Sequence, residues 1–345
     1  LSAANGAAGR GLVRSAVVGG AFAALAVAGR GGRLGLLLLQ TLAVCWPAWS
    51  AVRLWRNGKR RAALTLALSA AARRFCSRWW QYLTIPLAAG AVGLSTGLEY
   101  EPGIHSEMHE VVHLAQLTAD AGGRYISHIR SEDRWFDDAL DEIIEIGRLT
   151  GMPVQISHLK LAMASQWGRA PWIIQRLNAA REEGIDLTGD IYPYTYWQSH
   201  MMVLLPDRDP TDLAAIDFVM AELAPPDGII FTHFPADPDY VGMTLTEIAA
   251  ARKQSPAETF SVLAQMSIAH EAATGEMGDM MIGTSMRDDD IAAFMAWPHT
   301  NICTDGGLRD RHPRGAGSFP RALGRYVRAL GFLTLEAAAH RMTAR

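Results

Sequence analysis

The chain has 345 residues, 49% of them hydrophobic, enough for one large or two ordinary domains with a sizeable core. Its net charge of −3 conceals a break: residues 1–98 carry 12 Lys+Arg and no Asp, Glu or His, whereas 99–345 carry 20 basic and 35 acidic residues, a net of −15. The three cysteines (Cys45, Cys76 and Cys303) have no paired spacing, which argues against a disulfide-stapled secreted fold.

Residues 15–29 (SAVVGGAFAALAVAG) form an apolar run too short to span a bilayer. Residues 34–52 (LGLLLLQTLAVCWPAWSAV) are long enough and have Arg-rich flanks, although Gln40 and Pro47 interrupt them. Two other readings of this tract stay open. Excess Ala, Arg, Gly, Leu and Trp is what a GC-rich gene yields when translated out of frame, and an unusual soluble segment has the same composition. Residues 1–89 are therefore an atypical segment with no chemistry assigned. The chain opens at Leu1 and closes on RMTAR, and it reads as a fragment.

From Gly90 the pattern changes to strand–helix units. AVGLSTG (91–97) reads as a strand, and a helix opening at Ser106 runs to the glycine pair 122–123. RYISHI (124–129) is a second strand. The helix after it places Phe136, Leu140 and Ile143 on one face and stops at Gly151. PVQISHL (153–159), a helix around 171–183 and IDLTGDIYPY (185–194) follow. GIIFTHF (228–234), DMMIGTS (279–285) and TNICTDGG (300–307) read as further buried strands. Alternation at about 30 residues implies a parallel sheet, and six or more strands favour a closed (β/α)8 TIM-like barrel of the α/β class. No GxGxxG follows any strand, which argues against a dinucleotide site.

Polar residues cluster at the strand ends: His128, His158, Asp190, Tyr192, His233 and Asp305. In a barrel these ends form the active-site face. ISHIR (126–130) and ISHLK (156–160) deliver His128 and His158 one βα unit apart, as hydrogen-bonded structural residues or as converging metal ligands. Imidazole suits Zn2+, and a catalytic zinc keeps one position for water. Asp305, in CTDGG, is a turn aspartate or a general base for that water. Lys160 reads as a solvated lysine or a group that polarises a carbonyl. Arg314 reads as a solvated loop residue or a bidentate clamp for a carboxylate. Cys303 points to the other side of its strand, into the core. His233 has no partner at matching spacing. His105, His109 and His113 read as a solvated helix face in preference to a metal site. Residues 99–345 contain no Walker A loop, Gly-x-Ser-x-Gly elbow or basic–aromatic pattern, which argues against nucleotide hydrolysis, serine hydrolysis and nucleic-acid binding.

Taken in order, GAVGLSTGLEYEPG (90–103), YISHIRSE (125–132), PVQISHLK (153–160), DIYPY (190–194), TDGG (304–307) and HPRGAGSFPRALGRYVR (312–328) resemble the N-acyl-D-amino-acid deacylases (D-aminoacylases) of the amidohydrolase superfamily. The resemblance implies that residues 90–345 are part of a metal-dependent TIM-like barrel, flanked in the family by a small β-domain. It implies one tight zinc site with His128, His158 and Asp305 as ligands, and Asp305 as catalytic acid/base. It also implies that Tyr100, Lys160, Tyr192 and Arg314 bind the substrate, a small N-acyl-D-amino acid. Ser199 stands out of register with the family's Ser-Thr pair. The family also uses an HxH pair and a ligand cysteine from its first strands, yet no histidine precedes His105 here, and neither Cys45 nor Cys76 has the expected setting. The barrel thus reads as incomplete at both ends, with weak zinc binding and little activity expected. Other expectations are a cytoplasmic monomer, with membrane contact only if 34–52 is a genuine segment. The alternatives are dihydroorotase-like or D-dipeptidase chemistry, or an inactive membrane-tethered barrel.

Overall fold

The computed structural model describes residues 87, 89–307 and 311–343. The runs 15–29 and 34–52, with Cys45 and Cys76, lie outside the described residues. Among the described residues no helix is long and apolar enough to cross a membrane.

Residues Val92–Arg345 form one compact unit. It begins with β1 (Gly93–Gly97), α1 (Met108–Asp120), β2 (Arg124–His128), α2 (Phe136–Thr150), β3 (Val154–Ile156), α3 (Ala170–Glu182) and β4 (Leu187–Ile191). Helix α1 starts at Glu107, where Glu107 and Glu110 form a reciprocal capping box. Helix α2 carries Asp137 and Asp138 in its first turn and Arg148 in its last, matching the helix dipole. Its expected apolar face is the buried one: Phe136, Leu140 and Ile143 are at most 2% exposed. Gly151 ends it at φ 64°, a left-handed conformation that glycine adopts without Cβ strain.

The next segment departs from a simple βα alternation. β5 (Tyr196–Ser199), α4 (Leu213–Phe218), β6 (Ile229–His233), α5 (Leu245–Arg252), α6 (Pro256–Thr274) and β7 (Met280–Thr284) build a separate antiparallel sheet of order β5-β7-β6. It has its own core, including Trp197, Phe231, Phe234, Phe260 and Met281. The runs at 228–234 and 279–285 are strands, as expected, but they do not join the parallel sheet. A short run buried on both faces has the same composition in either kind of sheet, so pairing direction is not legible from it.

The chain then returns through α7 (Asp288–Ala296) to β8 (Thr300–Ile302), α8 (Arg314–Arg321) and α9 (Leu335–Thr343). Strand β8 pairs with β4, which gives a five-stranded parallel sheet of order β1-β2-β3-β4-β8. Its register sets Gly97 against His128, Ser127 against Ile156 and Gly189 against Thr300. The C-terminal ends of all five strands therefore open onto one edge.

Candidate functional site

His128 is the last residue of β2, and His158 lies two residues beyond β3. His158 has φ 40°, a left-handed conformation costly for a residue with a Cβ. Asp190, near the end of β4, holds it there: Oδ1 accepts the His158 backbone N–H at 2.7 Å, while Oδ2 accepts from the Gln155 amide at 2.5 Å. The turn aims the imidazole at its neighbour, so that His128 Nδ1 and His158 Nε2 stand 3.0 Å apart.

Carboxylates flank both outer nitrogens. His128 Nε2 is 2.7 Å from Glu99 Oε2, and His158 Nδ1 is 2.8 Å from Glu132 Oε1. Lys160 Nζ donates to both Glu132 oxygens at 2.6 and 2.7 Å and reaches His158 Nδ1 at 2.7 Å. Burial pushes the Glu132 carboxyl up, but the charges of His128, Lys160 and His158 outweigh burial and hold it well below the usual range. Burial raises Glu99, with His128 opposing. His128, Glu132 and His158 offer three donors within 4.8 Å of one another, a set that fits a divalent metal such as zinc.

These groups line a cavity of about 240 Å³ together with Glu99, Tyr100, Lys160, Asp305 and Arg314. The antiparallel sheet and the turn after it add Trp197, Gln198, Ser199, Val203 and Leu204 to the wall. Asp305 follows β8 at φ 48°, and its Oδ2 receives Arg314 Nη1 at 2.7 Å. Asp305 stands outside the three-donor group, although it shares the cavity. Arg314 is buried, at 7% exposure, and lies at the start of α8. Their approach depends on Gly306, since a Cβ there would collide with the backbone of Gly315. Gly306→Ala is therefore expected to push α8 away, lower the thermal midpoint and break the Asp305–Arg314 pair. Unchanged thermal unfolding in the variant would remove this account of the TDGG glycine.

Tyr100 lines the cavity, with its hydroxyl 3.3 Å from Ser199 Oγ, and burial raises its phenol above the ordinary range. Ser199, out of register in the sequence, is thus brought to the site by β5. Tyr192 is buried and is not among the cavity-lining residues. Its ring instead carries Arg314 at 4.8 Å and Lys160 at 5.7 Å. Lys160 is 5% exposed, which rules out the solvated reading. Cys303 is half-buried, and burial with the nearby Asp190 charge raises its thiol far above the usual range, so it supplies no ready thiolate.

Other candidates fall elsewhere. His233 ends β6 in the antiparallel sheet, is exposed and faces a different groove with Met277 and Arg311. His105 and His109 are surface residues beside Glu101 and Glu107. Sequence reasoning missed Glu99 and Glu132. The available signal was an acid placed within a few residues of a strand-end histidine or its neighbouring strand, which carries little weight without knowledge of the register.

No protein-family model matches the chain. Among curated proteins, an N-acyl-D-glutamate deacylase of Alcaligenes xylosoxydans xylosoxydans is 35% identical over 269 residues, 75% of this chain and 47% of that protein. A D-aminoacylase of the same organism is 30% identical over 262 residues, 74% of this chain and 47% of that protein. The crystal structure of N-acyl-D-glutamate deacylase from Bordetella bronchiseptica, complexed with zinc and a phosphonate mimic of the tetrahedral intermediate, aligns with TM-score 0.64 and 32% identity. It covers 78% of this chain and 51% of that one. A D-aminoacylase structure described as defining a novel subset of amidohydrolases aligns with TM-score 0.61 and 30% identity, over 75% of this chain and 48% of that one. The chain spans about half the length of the curated relatives it matches.

Proposed function

Because the chain belongs to the N-acyl-D-amino-acid deacylase (D-aminoacylase) family of amidohydrolases, we propose that its cavity hydrolyses the amide bond of N-acyl-D-amino acids to a D-amino acid and a carboxylic acid. The observation that carries this reading is the convergence of His128 Nδ1 and His158 Nε2, 3.0 Å apart, on the cavity that holds Asp305 and Arg314. We take the five-stranded sheet as part of a (β/α)8 barrel, and zinc as the metal held by His128, His158 and Glu132. Bound zinc would supply a Lewis acid that polarises the carbonyl and acidifies water.

The chain's own residues provide the remaining steps. Arg314 fixes the substrate carboxylate, which orients the amide and selects the stereoisomer. Asp305 takes the proton of the attacking water and later gives it to the leaving nitrogen. Lys160 places positive charge beside the developing oxyanion, and the Tyr100 hydroxyl is a further donor on the same wall. Tyr192 supports Arg314 and Lys160 from beneath their charged groups. No histidine precedes His105 to supply the HxH pair implied by the family, and neither Cys45 nor Cys76 has the setting expected of its ligand cysteine. We therefore propose weak zinc binding and slow turnover.

The test is an assay of the full chain with saturating zinc against paired N-acetyl-D- and N-acetyl-L-amino acids. Slow hydrolysis confined to the D series and abolished by chelation is expected. Hydrolysis that survives chelation, or no D-selective hydrolysis at any zinc concentration, overturns the reading.

A further inference from the structure

We propose that Trp197 is a specificity-determining residue: its indole is a fixed stop in the cavity wall that confines the substrate to compact N-acyl-D-amino acids. The inference deepens the hydrolytic reading and rests on it, since it takes the cavity as the substrate site. At about 240 Å³ the cavity is smaller than the roughly 300–1,000 Å³ of pockets that hold drug-sized ligands. Trp197, Val203, Leu204 and Leu223 give it apolar lining, and all four belong to the core of the antiparallel unit or pack against it.

The indole has little room to yield, because it is held at its polar end, along its face and through the chain that follows. Nε1 donates to Ser285 Oγ at 2.6 Å. Ser285 is itself buried and anchored: its N–H donates to the Thr195 carbonyl at 3.2 Å, and its carbonyl accepts from Trp167 Nε1 at 2.9 Å. Trp197 stands opposite Gly283 in the β5–β7 register, and its ring lies so close to that strand that a Cβ on Gly283 would collide with it. Beyond β5, the buried Asp279 accepts from the Met201 N–H at 2.8 Å and from the Ser267 hydroxyl of α6 at 2.6 Å. That carboxylate fixes the turn that carries Val203 and Leu204. An apolar substituent larger than the space left by such a wall meets overpacking, which outweighs the gain from its burial. Either the acyl group or the amino-acid side chain can carry the substituent that meets the stop, and the experiment separates the two.

Binding is measured on the full chain without metal, by 1H–15N correlation of the Trp197 indole N–H, assigned from Trp197→Phe. N-acetyl-D-alanine is the compact ligand, N-octanoyl-D-alanine carries bulk on the acyl group, and N-acetyl-D-phenylalanine carries it on the side chain. The parent is expected to bind the compact ligand at least about tenfold more tightly than one or both bulky ligands. For ligands bulky on the side that faces the wall, Trp197→Ala should erase this difference, and Trp197→Leu should reduce it by about threefold or more; chemical shifts elsewhere in the cavity report binding in these variants. Thermal unfolding of each variant is followed alongside, and Trp197→Leu decides if Trp197→Ala does not fold. A parent that binds all three ligands alike, or none of them, overturns the proposal, as does a size difference that survives substitution of Trp197. The measurement needs neither metal nor turnover. A size limit found without D-selective hydrolysis therefore sinks the hydrolytic reading alone, and D-selective hydrolysis without a size limit sinks this inference alone.

Discussion

Asp305→Asn is expected to lower hydrolysis by about 10²–10⁴-fold, the ordinary loss on removing a general acid–base, with zinc content unchanged. Asparagine keeps an oxygen for Arg314 Nη1, so the 2.7 Å contact and the turn at φ 48° can persist while proton transfer is lost. In the parent, Arg314 occupies Oδ2 and leaves Oδ1 to exchange the proton. The other carboxylates of the cavity stand elsewhere: Glu99 and Glu132 lie against the outer nitrogens of His128 and His158, and Asp133 pairs with Arg134. Rates measured alongside metal analysis decide the matter. Parent-level hydrolysis in the variant would remove Asp305 from the chemistry, and a parallel loss of zinc would make it a ligand instead.

Glu132→Gln carries the second large effect. It leaves the Lys160 ammonium, 5% exposed, without its charged partner, and breaking a buried pair in this way costs about 3–5 kcal/mol. The expected pH dependence has a definite sign. The folded-state pKa of Glu132 lies below its unfolded value, so its contribution is fully present above the ordinary glutamate pKa of about 4.3 and is lost as pH falls below it. The stability gap between parent and variant, read from denaturant midpoints, should therefore be widest near neutral pH and shrink in acid. A gap that stayed constant from pH about 7 to pH about 3 would mean that the ion pair is not its source. Zinc affinity should fall as well, because the variant loses one of the three donors.

The local features of the parallel sheet were legible before any coordinates. The buried face of α2, the stop at Gly151 and the strand ends at His128 and His158 all follow from periodicity and turn chemistry within a single segment. The motif series that carries the family resemblance is of the same kind. The destination of β6 and β7 was not legible. GIIFTHF and DMMIGTS carry no mark of pairing direction, and only contact with β5 made them a second sheet with its own core. His233 fell away from the site for that reason, and Ser199 came into it.

The sequence by itself determined which residue types stand at the strand ends, and so that imidazoles, an aspartate and two cations would meet at one edge. This information is local: a strand's end, the turn after it and the side chain delivered there lie within a few residues. Tertiary structure decided how those groups pair. Glu132 binds Lys160 and His158, Glu99 caps His128, and Arg314 holds Asp305 instead of standing in solvent. Such pairings join side chains from the segments that follow different strands and from α8, and they depend on register and on backbone turns at φ 40° and 48° that no spacing rule encodes.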